Sequence, residues 1–212
     1  MILYGSSISP YVRKTLAFAA EKGIALDLQP AGMGRGPAEF MEASPFGKMP
    51  GFRDGDFMIS DSTAIITYLE AIQPEPNLLP LEARARARTI WYEEFADTIL
   101  MGAGGKMFFN RLVAPRYMGR PGDEAAALAA ETDELPPILD YLERALPASG
   151  FLVEDRLTLA DISVASPFVN LAHIGWTPDP QRWPKIVAYT QAILARPSFA
   201  SWVDAETKFL AA

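Results

Sequence analysis

Three of the eight residues from Gln73 to Pro80 are proline, and the hydrophobic pattern differs on the two sides of that stretch. Each proline ring fixes φ and removes a backbone donor, so such a run sustains neither a helix interior nor a central strand. It reads as a linker, and it divides the chain into a mixed α/β part and a purely helical part. The boundaries predicted on this basis are a first domain over residues 1–76, a linker over 77–82 and a helical domain over 83–212.

The first part is punctuated closely enough to assign its elements. Residues 1 to 4 read as a short buried strand, and Gly5 to Ser9 as a polar turn that ends at Pro10. Proline is favoured at the first helical position, which makes Ser9 the natural N-cap of a helix. Val12, Leu16, Ala19 and Ala20 recur at helical spacing, and Gly23 is the stop signal. Ile24 to Gln29 form a second strand. A Gly-rich loop and a short helix, Pro37 to Ala43, lead into Ser44-Pro45-Phe46-Gly47-Lys48-Met49-Pro50-Gly51-Phe52, where two prolines and two glycines impose an irregular path. Asp54-Gly55 is a hairpin turn. A helix follows Ser60-Asp61, with Ala64, Ile65, Tyr68, Leu69 and Ile72 on one face. The order is β-α-β-α-β-β-α.

Beyond the linker every pattern is helical. Ala83 to about Asn110 is one long helix, weakened by Gly102, Gly104 and Gly105. Asp123 to Leu146 is another, interrupted near Pro136-Pro137. Thr158 and Asp161 open a third with a capping-box arrangement in which Asp stands where Glu or Gln is usual. Pro184–Leu194 and Ser198–Leu210 complete the set.

Composition limits the chemistry. The 212 residues carry 19 Lys and Arg against 26 Asp and Glu, a net charge of −7. A nucleic-acid binder needs a surplus of cations to displace phosphate counterions, so nucleic acid is not an expected partner. There is no cysteine and a single histidine, His173. Disulfides, thiol redox motifs, Cys-based zinc sites and His-rich metal centres are excluded, and no metal is expected. No apolar run approaches the roughly 18 residues that cross a bilayer, and no targeting signal is evident. A cytoplasmic protein without membrane contact is the expectation. Hydroxyls, carboxylates, lysines and arginines remain, with whatever a bound molecule brings.

Three places offer such groups. Ser9 stands at a helix start, where unsatisfied N–H groups and the helix dipole favour an anion. Lys48-Met49-Pro50 precedes a strand; a cis bond at Pro50 would present the Met49 backbone to an extended ligand, with Lys48 able to hold a carboxylate. Asp61-Ser62 opens another helix, where Ser62 suits a carboxylate and Asp61 an ammonium group. Taken singly, each is also ordinary capping or a solvated lysine.

Read in order, they say more. Ser9-Pro10-Tyr11-Val12-Arg13-Lys14, then Ser44 to Pro50, then Asp61-Ser62-Thr63-Ala64-Ile65 through Tyr68-Leu69-Glu70, then Leu157-Thr158-Leu159-Ala160-Asp161 in an all-helical second part, resemble the glutathione transferase family over nearly the whole chain. The resemblance is to a cytosolic, serine-type, bacterial-like member. It implies a thioredoxin-like α/β N-terminal domain, an all-α C-terminal domain and a homodimer.

The resemblance also implies roles. Glutathione would be the co-substrate, with Asp61 and Ser62 at its γ-glutamyl end, the Met49 backbone ahead of cis Pro50 on the cysteinyl part, and Lys48 at the glycyl carboxylate. Ser9 would donate a hydrogen bond to the thiolate, with Ser7 and Ser6 as alternatives. With no cysteine of its own, the chain cannot start mixed-disulfide chemistry. A small hydrophobic electrophile would be the second substrate, its pocket drawn from Tyr11, Trp91, Met107, Phe108 and Tyr117. Thr158 and Asp161 would be structural. The leading activity is conjugation of glutathione to the electrophile. Glutathione-dependent isomerisation, peroxide reduction, dehalogenation or ether cleavage on the same site is an alternative, as is a non-catalytic binding or assembly domain.

Overall fold

The computed structural model describes residues 1–32 and 34–211. They form two compact units, residues 1–78 together with the C-terminal helix, and residues 79–196.

The first unit is built on a four-stranded sheet of β1 (Ile2–Gly5), β2 (Asp27–Pro30), β3 (Gly51–Asp54) and β4 (Phe57–Ser60), in the order β2-β1-β3-β4. β1 runs parallel to β2 and antiparallel to β3, and β3 and β4 form the hairpin announced by Asp54-Gly55. Its helices are α1 (Pro10–Glu21), α2 (Ala38–Ala43), α3 (Ser62–Ile72) and, from the far end of the chain, α11 (Pro197–Ala211). α2 packs on β3 and β4, while α1 packs on α3 and α11. β1 reads as continuously apolar because its Leu3 and Tyr4 are both buried, although they point to opposite faces. The second strand starts at Asp27 rather than Ile24, because the Ile24 N–H donates to the Ala19 carbonyl at 2.8 Å and closes the end of α1.

The proline-rich stretch is fastened to this unit. Lys22 Nζ donates to Glu70 Oε2 at 2.6 Å and to the Pro76 carbonyl at 2.8 Å. The other Glu70 oxygen accepts from Asn77 Nδ2 at 3.0 Å and from the Leu78 N–H at 3.2 Å. Asn77 and Leu78, which the sequence reading gives to the linker, are therefore hydrogen-bonded to α3.

The second unit is helical: α4 (Ala83–Glu94), α5 (Met101–Phe108), α6 (Ala114–Tyr117), α7 (Glu124–Ala129), α8 (Leu135–Ala145), α9 (Leu159–His173) and α10 (Pro184–Leu194). α4, α5 and α6 are joined by wide π-type turns at Phe95–Leu100 and Phe109–Val113, so the helical path continues past Asn110 to Tyr117. The glycines do not break it. Gly104 faces Leu171 of α9, where a Cβ would make an ordinary contact at 3.5 Å. α7 and α8 are joined by a similar turn at Ala130–Glu134, and Pro136 falls in the first turn of α8, where a missing donor is tolerated.

Every residue of α9 from Leu159 to Leu171 is buried. Its start is held by Asp161, whose Oδ2 accepts from the Thr158 N–H at 2.9 Å and the Thr158 hydroxyl at 3.3 Å. Asp161 Oδ1 accepts from the Leu152 N–H at 2.9 Å and the Tyr189 hydroxyl at 3.3 Å. Burial pushes this carboxyl up to about 6, against the pull of those hydrogen bonds. His173 ends α9 and is partly buried. No helix among the described residues is long and apolar enough to cross a membrane.

Candidate active site

The strand register gathers the polar motifs. Tyr4 pairs with Gly51, and Gly51 with Ser60, so one row across the sheet joins the end of β1, the start of β3 and the end of β4. Beyond that row lie the Gly5–Ser9 turn, Met49-Pro50 and Asp61-Ser62. Gly5 pairs with Pro30 on the other side, which brings residues 31–32 and 34–36 to the same edge. This edge holds the carboxyl ends of the two parallel strands, where open α/β sheets place ligands.

Within the first turn, the Ser9 N–H donates to the Ser6 carbonyl at 2.9 Å, and Ser9 has extended backbone at the N-cap of α1. Pro10 occupies the first helical turn as expected. The Ser9 side chain, however, makes no capping hydrogen bond. Its hydroxyl therefore stands at the positive end of α1 without being spent on the helix. Ser6 and Ser7 lie on a cavity of about 650 Å³ together with Ile8, Leu28, Arg35, Trp202 and Phe209. Gly5 is fixed by space, since a Cβ there would meet Val12 Cγ2 at 2.6 Å.

The Met49–Pro50 bond is cis. Met49 packs, partly buried, against the cluster of Tyr4, Phe40 and Ala43. Lys48 is exposed, and its loop is closed by Ser44, whose buried hydroxyl donates to the Lys48 carbonyl at 2.7 Å and accepts from the Lys48 N–H at 3.0 Å. The same loop is tied to its neighbour by the Gly34 N–H, which donates to the Gly47 carbonyl at 2.9 Å. A Cβ on Gly47 would lie 2.7 Å from the Gly34 Cα, so the crossing needs glycine at 47, while Gly34 is favoured by its φ of 65°.

At α3, Asp61 is the N-cap, and its Oδ1 accepts from the N–H groups of Thr63 and Ala64 at 2.9 and 3.1 Å. Its φ of 82° is a conformation that costs a non-glycine residue of order 1 kcal/mol or more. Asp61 is exposed while Ser62 is buried beside it. Of the residues proposed for an apolar pocket, Tyr11 is half-buried on α1 of the first unit. In the second unit, Trp91 and Tyr117 are exposed, whereas Met107 and Phe108 lie in the helical core.

Two features escaped the sequence reading. Arg35 joins Ser6 and Ser7 at the cavity, and its only signal was a lone cation in a Gly-rich loop. α11 supplies Trp202, Ala205, Glu206 and Phe209 to the same cavity. The signal for that was Glu206 standing at i+4 from Trp202 and three before Phe209, a charge within an apolar stripe.

Comparison with known proteins agrees with this architecture. Residues 3–77 match the glutathione S-transferase N-terminal domain, and residues 109–206 the glutathione S-transferase C-terminal domain. Glutathione S-transferase 3 of Zea mays is 30% identical over 209 residues, covering 96% of this chain and 93% of the relative. The crystal structure of a glutathione S-transferase from Rhodospirillum rubrum superposes with a TM-score of 0.86 at 25% identity, over 95% of this chain and 90% of that one. Elongation factor 1-gamma of Schizosaccharomyces pombe is 35% identical over 165 residues, which are 76% of this chain and 38% of the factor. With a thioredoxin-like sheet domain, a helical domain and a relative matched almost end to end, the chain belongs to the glutathione S-transferase family.

Proposed function

We propose that the protein is a serine-type glutathione transferase in which Ser9 stabilises the glutathione thiolate for attack on an apolar electrophile. The observation that carries this reading is the Ser9 hydroxyl, placed at the N-terminus of α1 and not used as a cap. A free thiol near pKa 8.5 is only a few per cent ionised at neutral pH, and each pKa unit removed is worth about 1.4 kcal/mol. A hydroxyl donor and the dipole of α1 both act on the anion more than on the neutral thiol. Ser7 and Ser6 are the alternative donors. The remaining groups on this edge suit the rest of the tripeptide: Asp61 for its ammonium group, buried Ser62 for the neighbouring carboxylate, the Met49 backbone for the cysteinyl amide, and Lys48 for the glycyl carboxylate. The thiolate then bonds to the electrophilic carbon as the leaving group departs with its electron pair.

The test is Ser9→Ala, with thiol ionisation followed by ultraviolet absorbance in the glutathione complex and turnover measured on a halogenated aromatic. The expected outcome is a rise in the ionisation midpoint and a fall in kcat/KM of about 10- to 100-fold. Unchanged values would move the role to Ser7 or Ser6. Hydroperoxides, unsaturated diacids and aryl ethers in the same panel sort conjugation from the other glutathione-dependent reactions, and sizing chromatography tests the homodimer. A second reading, a non-catalytic assembly domain, is favoured by the 35% identity to elongation factor 1-gamma. Failure to be retained on immobilised glutathione presented at millimolar concentration, with no free glutathione competing, would select it.

A further inference from the structure

We propose that Glu206, on the last helix of the chain, is a positioning residue for the serine turn and acts through Arg13. The inference rests on the assignment of Ser9 made above. Arg13 lies one helical turn after Ser9. Its Nε donates to Glu206 Oε1 at 3.0 Å and to Oε2 at 3.2 Å, and its Nη2 donates to Oε2 at 2.7 Å. The side chains are 0% and 1% exposed. The same Nη2 donates to the Ile8 carbonyl at 3.3 Å.

That carbonyl belongs to the peptide unit joining Ile8 to Ser9. The orientation of that peptide plane is tied to φ of Ser9, and so to the line along which the Ser9 hydroxyl leaves the chain. From within, the turn is closed by the bond from the Ser9 N–H to Ser6 and by the bond from the Arg13 N–H to the Ser9 carbonyl. From outside, it is held by a planar guanidinium whose five donors are fixed relative to one another. Glu206 fixes that plane by engaging it through two nitrogens. A buried ion pair gives little net stability over an apolar pair of the same volume. What it supplies, and methylene groups cannot, is direction. α11 does not depend on this pair alone for its seat: Ser198 Oγ donates to Glu21 Oε1 at 2.6 Å, and Phe199 is in the core.

The decisive variant is Arg13→Met with Glu206→Leu, which removes both charges together and fills the same space. The expected protein folds with a thermal midpoint near that of the parent and keeps its KM for glutathione. Its kcat on a halogenated aromatic falls about tenfold and the pH midpoint of thiol ionisation rises by about 1. A folded double variant with the parent kcat and midpoint overturns the proposal. Arg13→Lys and Glu206→Asp, each alone, keep the charges and lose the fork; both are expected to shift kcat and midpoint in the same direction by less, and parental values in both also overturn it. In a Ser9→Ala background the double substitution adds nothing further, and an additional loss there counts against action through Ser9. Ser9→Ala leaving the midpoint unmoved sinks the serine assignment and this proposal with it. Ser9→Ala raising the midpoint while the double variant is silent sinks the positioning role alone.

Discussion

The starts of α1 and α9 use the same vocabulary to opposite ends. Both place a hydroxyl residue at the N-cap, Ser9 in one and Thr158 in the other. At α9, every oxygen of the partner carboxylate is engaged: Asp161 accepts from two backbone N–H groups and two hydroxyls, all inside the fold. At α1 the cap hydroxyl makes no bond to the helix it begins. A polar group bonded within the protein stabilises it, whereas one left at a helix N-terminus is available to a ligand. The difference separates a site closed within the fold from the proposed binding site without reference to the residue types, which are nearly the same.

The sharpest way to break the comparison is to remove the satisfied carboxylate. Asp161→Ala leaves several buried donors without an acceptor and is expected to lower unfolding free energy by about 3 kcal/mol, with specific activity of the folded fraction kept. Denaturant titration and active-site-normalised turnover check both halves. Ser9→Ala should do the reverse. A typical cap loss costs about 1 kcal/mol, but with no capping bond to lose the change in stability should stay within about 0.5 kcal/mol while turnover falls. A stability loss as large as that of an ordinary cap would show that the hydroxyl serves the helix after all.

Asp61 stands between the two, since it caps α3 and is also the proposed partner of the glutathione ammonium group. Asp61→Asn keeps an oxygen acceptor for Thr63 and Ala64 and tolerates positive φ, so stability should change by less than about 0.5 kcal/mol. Retention on immobilised glutathione should fall, because the charge opposite an ammonium group is gone. Unchanged retention would confine Asp61 to capping. The smallest effect is in pH. Asp161 binds its proton more tightly in the folded protein, with its pKa raised from 3.8 to about 6. Its contribution to stability is therefore fully present below pH 4 and is lost as pH rises through 6. Asp161→Asn should flatten that part of the stability profile, and an identical slope in both proteins would show that other groups set it.

Much of the fold was legible because its punctuation is chemical. Pro10 after Ser9, Asp54-Gly55, and Thr158 with Asp161 each mark a boundary by a local rule, and local rules need no tertiary knowledge. The apolar pattern places the second strand early because nothing in Ile24-Ala25-Leu26 reveals that the Ile24 N–H is used to close α1. The wide turns in the α4 to α6 path left no trace in apolar spacing, since Phe95 to Leu100 reads equally well on a regular helix. At the candidate site, Ser9, Met49, Pro50, Asp61 and Ser62 are legible as candidates because each neighbours a helix or strand end, and the sheet register brings those ends to one edge. Sequence order alone gives α11 to the helical part. Its packing against α1 depends on a partner 193 residues away, a separation no periodicity can report.

That separation bears on how the molecule is made. Arg13 is synthesised 193 residues before the carboxylate that neutralises it. Until then the sheet unit has an exposed guanidinium where its mature form is dry, and an open cavity where α11 will lie. The unit that begins before the helical segment is thus completed only by residues that follow that segment.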